Sequence, residues 1–179
     1  MKMKEIEDIE EINAKSAALA KQLVELCAER GLKVSTAESC TGGLVSASIT
    51  SVSGSSSVIE LGICSYSNRI KREVLGVSEK TLEEFSEYSA ECAEEMAAGA
   101  MRISSSDLAV STTGVAGPGG GTDKHPVGEV YIGICSNGSC KAKRFLFSGS
   151  REQIRARTVF ECLKMLVFSV NDYNSHDKI

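Results

Sequence analysis

Leu32-Lys33-Val34-Ser35-Thr36-Ala37-Glu38-Ser39-Cys40-Thr41-Gly42-Gly43, running on into Leu44 to Ser51, is the stretch from which the fold is read. Leu32 to Ala37 is apolar and β-branched enough to predict a short strand. Glu38 to Gly43 is a loop whose two glycines relieve side-chain bulk at its end. Leu44 to Ser51 predicts a helix packed closely through small residues. Upstream, the first 31 residues predict a helix, with Ile9, Ile12, Leu19, Leu23 and Leu26 on one stripe and Gly31 as its C-cap. Helix, strand, glycine loop, helix is the grammar of an α/β layer.

Downstream the alternation continues. Ile59 to Tyr66 predicts a second strand, and Asn68 to Leu75 a short helix. Ser78 and Ser89 are placed to N-cap two more helices, the latter burying Cys92, Met96, Ala100 and Ile103. Leu108 to Thr113 predicts a third strand, which enters the glycine-rich loop Gly114 to Gly121. Asn137-Gly138 between Glu129–Ser136 and Ser139–Phe147 predicts a hairpin with a two-residue turn. That register sets Cys135 opposite Cys140, as a reduced pair in preference to a disulfide on the premise of a cytosolic protein. Ser150 with Gln153 forms a capping box for a last helix bearing Ile154, Cys162, Leu163, Leu166 and Val167. The expectation is one three-layer α/β/α domain with a mixed, partly parallel sheet. Residues 1–14 are an N-terminal helical extension, 15–170 the domain, and 171–179 a flexible tail.

Composition narrows the function. In 179 residues, 20 Lys and Arg against 24 Asp and Glu give a net charge of −4, so no basic field advertises nucleic acid. No run of about 18 apolar residues predicts a membrane span. Residues 1–8 are charged and have no secretory-signal core, so a cytoplasmic location is expected. Seven cysteines without a CxxC pair and only two histidines make no zinc pattern, and neither metal nor organic cofactor is expected. His125 in a polar loop and His176 in the tail read as solvated surface.

Ligands of open α/β sheets bind beyond the carboxyl ends of the strands. If the three strands are parallel neighbours, three loops share one rim: Glu38 to Gly43, Ser65-Tyr66-Ser67-Asn68 with Lys71, and Thr113-Gly114 with its glycines. The backbone N–H groups near Thr41 and Gly42, at a helix start, suit an anion, either a phosphate or a developing oxyanion. Ser39 is the candidate nucleophile there, though Ser39 or Thr41 acting only as an N-cap fits the same loop. A serine needs a base, and a desolvated neutral lysine serves as one. Lys71 is that candidate, with an ordinary surface lysine as the alternative. Cys40 ranks below Ser39 as a nucleophile. Arg151 heads the last helix and is placed to approach a ligand on the rim.

Several of these motifs together resemble the CinA C-terminal domain family, the nicotinamide-nucleotide amidases. They are Thr36 to Gly43, Tyr66-Ser67-Asn68 with Lys71, Leu75-Gly76-Val77, Thr113 to Pro118, and Pro126-Val127-Gly128. The resemblance runs from about residue 15 to 170. It implies an amidohydrolase that converts nicotinamide mononucleotide to nicotinate mononucleotide and ammonia, with Ser39, Tyr66 and Lys71 as the functional trio. Glu38, Thr41, Gly42, Gly43, Thr113, Gly114, Gly117 and Arg151 are the expected substrate-binding residues. The chain departs from the family at Gly119 and Ser150, where aspartate is frequent, and at Tyr88, where a small aliphatic residue is common. Larger members carry an N-terminal nucleotide-hydrolysing domain, for which this sequence has no room. The expected partner is a small-molecule nucleotide, with a homo-oligomer, a dimer first, through the long N-terminal helix. The rival functions are a non-catalytic nucleotide sensor and an oligomeric scaffold.

Overall fold

A computed structural model describes residues 8–173. Its elements follow the sequence closely: α1 (Ile9–Arg30), β1 (Val34–Glu38), α2 (Leu44–Thr50), a 3₁₀ turn (Ser55–Ser57), β2 (Ile59–Cys64), α3 (Asn68–Glu73), α4 (Glu79–Glu84), α5 (Ala90–Ser104), β3 (Leu108–Gly114), β4 (Glu129–Ser136), β5 (Ser139–Leu146) and α6 (Arg151–Asn171). The sequence marked most of the helix ends. Asp8, Ser67, Ser78, Ser89 and Ser150 accept backbone N–H bonds at their helix starts, and Ser150 with Gln153 forms the full capping box. Gly31 ends α1 in the left-handed conformation, with φ 65°. The expected helix over residues 1–7 and the tail over 174–179 lie outside the described residues.

The sheet order is β2-β1-β3-β4-β5. β2, β1 and β3 are parallel, and β4 and β5 run antiparallel to their neighbours, so the sheet is mixed as expected. Strand alternation divides the core between its two faces. On one, Val34, Leu108, Val110, Val130 and Ile132 pack under α2 and α6, with α1 lying alongside α6. On the other, Ala37, Ala109 and Cys135 pack against Cys92, Met96, Ala97 and Ala100 of α5. Ile103, expected on the buried stripe of α5, is 44% exposed.

The apolar stripe of α1 is partly covered from within, with Leu19 and Leu26 half-buried against the core. Ile12, Leu23, Val24 and Cys27 are buried where α1 meets α6. The hairpin register is as expected, with Cys135 opposite Cys140. Their oxidation state is not: the two are joined as a disulfide, with Cα atoms 4.1 Å apart. Directly opposed residues of an antiparallel pair stand about 4.5–5.5 Å apart, and this pair is drawn closer still. The expectation of thiols rested on an assumed compartment, which the register does not encode.

Candidate active site

The three parallel strands end level. Glu38 of β1 is in register with Cys64 of β2 and Thr112 of β3. The ladder extends one residue further, with Ser39 N–H donating to Thr112 O at 2.9 Å and Ser65 N–H to Glu38 O at 2.8 Å. The three loops therefore leave the sheet at one rim.

Lys71 reaches this rim from the first turn of α3, whose start is fixed by the Ser67 cap. Its Nζ donates to Ser39 Oγ at 3.1 Å and to Ser65 O at 3.0 Å. Lys71 is 1% exposed, and among the described residues no carboxylate bonds to it. Burial pushes its pKa below the ordinary lysine value, while Cys92, Glu87 and Cys40 act in the opposite direction. A lysine that gives up its proton more easily and touches a serine hydroxyl is arranged to act as that serine's base.

Tyr66 stands at the mouth of the site, 65% exposed, and its hydroxyl accepts from Arg151 Nη2 at 3.3 Å. Arg151 Nη1 also donates to Gly117 O at 2.8 Å. Because Lys71 contacts Ser39 directly, that contact has no gap for the Tyr66 hydroxyl to bridge. Cys40, next to the serine, is a poor rival nucleophile, since burial pushes its thiol up to about 11.

Glu38 does something the sequence reading did not anticipate. It is 1% exposed and turned toward α2, accepting N–H bonds from Gly43 at 2.9 Å, Val45 at 3.0 Å and Ser46 at 2.8 Å, together with the Ser46 hydroxyl. The electropositive start of α2 thus has an internal anion. The Gly43 N–H is engaged there, while those of Thr41 and Gly42 stay outside the set that Glu38 takes. Gly42 and Gly43, at φ 61° and 93°, give the chain the left-handed turn that carries it around the carboxylate.

Ser39, Cys40, Tyr66, Asn68, Lys71, Gly114, Ala116 and Arg151 line a cavity of about 100 Å³ with Glu87 and Tyr88. That is the volume of roughly three waters at about 30 Å³ each, which suits the head of a ligand and not a whole nucleotide. The proposed trio meets in this cavity, and Gly114 and Arg151 join it. Glu38, Thr41 and Thr113 do not: they are at most 1% exposed and bonded within the protein. The Thr41 hydroxyl pairs with that of Thr112 at 2.8 Å, and the Thr113 hydroxyl donates to Glu87 O. Gly117 contributes through its carbonyl to Arg151.

Glu87 and Tyr88, on the loop between α4 and α5, escaped sequence reasoning as site residues, and no local pattern marks them. His125 was misread as surface. Its ring is 15% exposed, with Nδ1 2.8 Å from Glu129 Oε2 and an edge contact to the Tyr88 ring at 5.7 Å between centroids. Two larger cavities, about 350 Å³ beside α1, α2 and α6 and about 580 Å³ between the hairpin and α6, contain neither Ser39 nor Lys71. Among the described residues no group of three or more His, Cys, Asp or Glu side chains is disposed to hold a metal ion, and no helix is long and apolar enough to cross a membrane.

Known proteins share this arrangement of elements. The profile of the CinA C-terminal domain matches residues 16–169. The solved structure of the competence/damage inducible protein CihA from Agrobacterium tumefaciens superposes with a TM-score of 0.85 at 40% identity, over 88% of this chain and 96% of that one. A CinA superfamily protein from Escherichia coli gives 0.81 at 28% identity, over 93% and 92%. A Caldicellulosiruptor saccharolyticus protein, provisionally named competence-damage inducible, is 45% identical over 155 residues, which are 87% of this chain and 38% of that protein. The chain spans little more than a third of the curated relatives it matches.

Proposed function

The chain belongs to the CinA C-terminal domain family, and on that premise we propose that it is an amidohydrolase whose substrate is a small-molecule nucleotide, nicotinamide mononucleotide. The observation that carries this reading is the 3.1 Å contact between the buried Lys71 Nζ and Ser39 Oγ. Neutral Lys71 takes the Ser39 proton as Oγ bonds to the carboxamide carbon. The Thr41 and Gly42 N–H groups that the sequence suggested as oxyanion donors belong to residues outside the cavity lining, so no backbone donor is assigned to the oxyanion. The lysine proton, or that of the Tyr66 hydroxyl, passes to the departing nitrogen, the C–N bond breaks and ammonia leaves. Water then releases nicotinate mononucleotide and returns Ser39 to its hydroxyl form. The positive ring makes the carboxamide a better electrophile and favours the neutral lysine beside it. Arg151, at the mouth, is the group to meet the phosphate.

The test is to incubate the protein with nicotinamide mononucleotide and measure ammonia and nicotinate mononucleotide. Turnover that disappears in Ser39→Ala is the expected result. Full turnover in Ser39→Ala removes the serine mechanism. Binding without turnover in the unaltered protein converts the reading to a nucleotide sensor.

A further inference from the structure

Glu87 is the one carboxylate among the described residues lining the active cavity, where it sits with Lys71 and Arg151. Its side chain makes no hydrogen bond or ion pair with any described residue. Its main chain, by contrast, is held firmly. The Thr113 hydroxyl donates to Glu87 O, the adjacent Tyr88 N–H donates to Ser86 Oγ at 3.2 Å, and Ser89 caps α5 just beyond. A half-buried carboxylate on a fixed main chain, aimed at a cavity and left unpaired, is disposed to receive a cation from outside the protein.

Tyr88 supplies the second half of such a site. Its ring lines the same cavity, and its back is braced by the edge contact to His125. His125 in turn is anchored on Glu129, which Arg144 Nε also holds at 2.6 Å. This chain of contacts fixes a ring whose π-system attracts positive charge, directly beside the free carboxylate.

We propose that Glu87 and Tyr88 together form a subsite for the positively charged heteroaromatic ring of the substrate, and that this subsite makes the enzyme prefer a cationic ring over the same ring uncharged. The proposal rests on the amidohydrolase reading of the site. Without Glu87, a cationic ring entering past Arg151 and settling beside Lys71 would meet no negative side chain among the described lining residues. With it, the cavity holds an anion for the ring and a cation at the mouth for the phosphate, so a zwitterionic ligand is oriented with its carboxamide toward Ser39.

The experiment is calorimetric titration in the Ser39→Ala background, so that nothing turns over, with nicotinamide mononucleotide and its reduced dihydropyridine form as probes. The two differ in ring charge and share the phosphoribose. The parent background is expected to bind the cationic form more tightly by about tenfold. Adding Glu87→Gln should collapse that ratio toward one while leaving affinity for the neutral form unchanged. Tyr88→Leu should reduce the ratio, and Tyr88→Phe should keep it. An unchanged ratio in Glu87→Gln overturns the subsite and leaves the amidohydrolase reading intact. An unaltered protein that fails to hydrolyse nicotinamide mononucleotide overturns the reading beneath it instead.

Discussion

Lys71 and Glu129 are buried to nearly the same depth, 1% and 2% exposed, and the protein treats them oppositely. Glu129, at the start of β4 in the antiparallel half of the sheet, is clasped by Arg144 at 2.6 Å and His125 at 2.8 Å. Burial alone would raise its pKa, but those two hydrogen bonds outweigh it and hold the carboxyl below its ordinary value. Lys71, beyond the parallel half, receives only a hydroxyl and a carbonyl, and burial lowers its pKa. One buried charge is stabilised as a charge. The other is held where losing its charge is easier. That difference separates a structural ion pair from the base proposed for Ser39, and it appears in partners and not in burial.

The strongest way to break the contrast is Lys71→Met. Turnover should fall by about 1,000-fold or more, because the serine loses its base, and Lys71→Arg should not restore it, since a guanidinium keeps its proton. Stability should move the other way. Lowered folded pKa means that the lysine's contribution is most favourable above its unfolded value and worsens as pH falls through the folded one. At neutral pH the variant should therefore melt higher by about 2–6 °C, reflecting relief of roughly 1–2 kcal/mol. The gain should shrink as the pH approaches 10 in scanning calorimetry. A variant less stable than the parent at every pH would contradict the desolvation account.

Glu129→Gln is the matching experiment on the other side. It should destabilise the fold by about 1–3 kcal/mol in urea unfolding at neutral pH. Because the folded pKa of Glu129 is depressed, its contribution is present above the ordinary carboxylate value of about 4.3 and is lost as pH falls through the folded pKa. The gap between parent and variant should therefore close in acid. The serine–lysine pair should remain competent.

A finer test is the pH profile. kcat/KM should rise with pH on an acidic limb set by Lys71, below the ordinary lysine range. The groups that oppose this lowering are Cys92, Glu87 and Cys40. Removing the negative charge in Glu87→Gln should move the limb to still lower pH. Least of all should be the effect of Cys40→Ala: with the thiol at about 11, activity should stay within about threefold, since no thiolate is available at neutral pH. Loss of turnover there would move the nucleophile from Ser39 to its neighbour.

Much of the molecule was readable along the chain. Ser78, Ser89, Ser150 and Gly31 are local signals, and each helix boundary they mark is found in place. Asn137-Gly138 fixed the hairpin register for the same reason, because a two-residue turn determines pairing without outside help. Ser39, Lys71 and Arg151 were drawn together by the parallel-strand argument and by family resemblance. The roles of Glu38 and His125 were not readable. The resemblance set Glu38 against the substrate, and a histidine among polar residues looks solvent-facing, until the fold supplies three N–H donors to one and a carboxylate to the other. Glu87 and Tyr88 were missed as cavity residues because no periodicity marks a loop that only later chain segments bring to a rim.

The sequence by itself determined the elements, their caps, the hairpin register and the loops that carry reactive side chains, since these depend on neighbours a few residues apart. The tertiary structure alone decided that Lys71 lies against a serine 32 residues away, that Glu38 turns inward, that Cys135 and Cys140 are bonded, and that Glu87 faces the cavity unpaired. The physical reason is that desolvation and the choice of hydrogen-bond partner belong to a place in space. The chain reaches that place only when the sheet has brought its ends together.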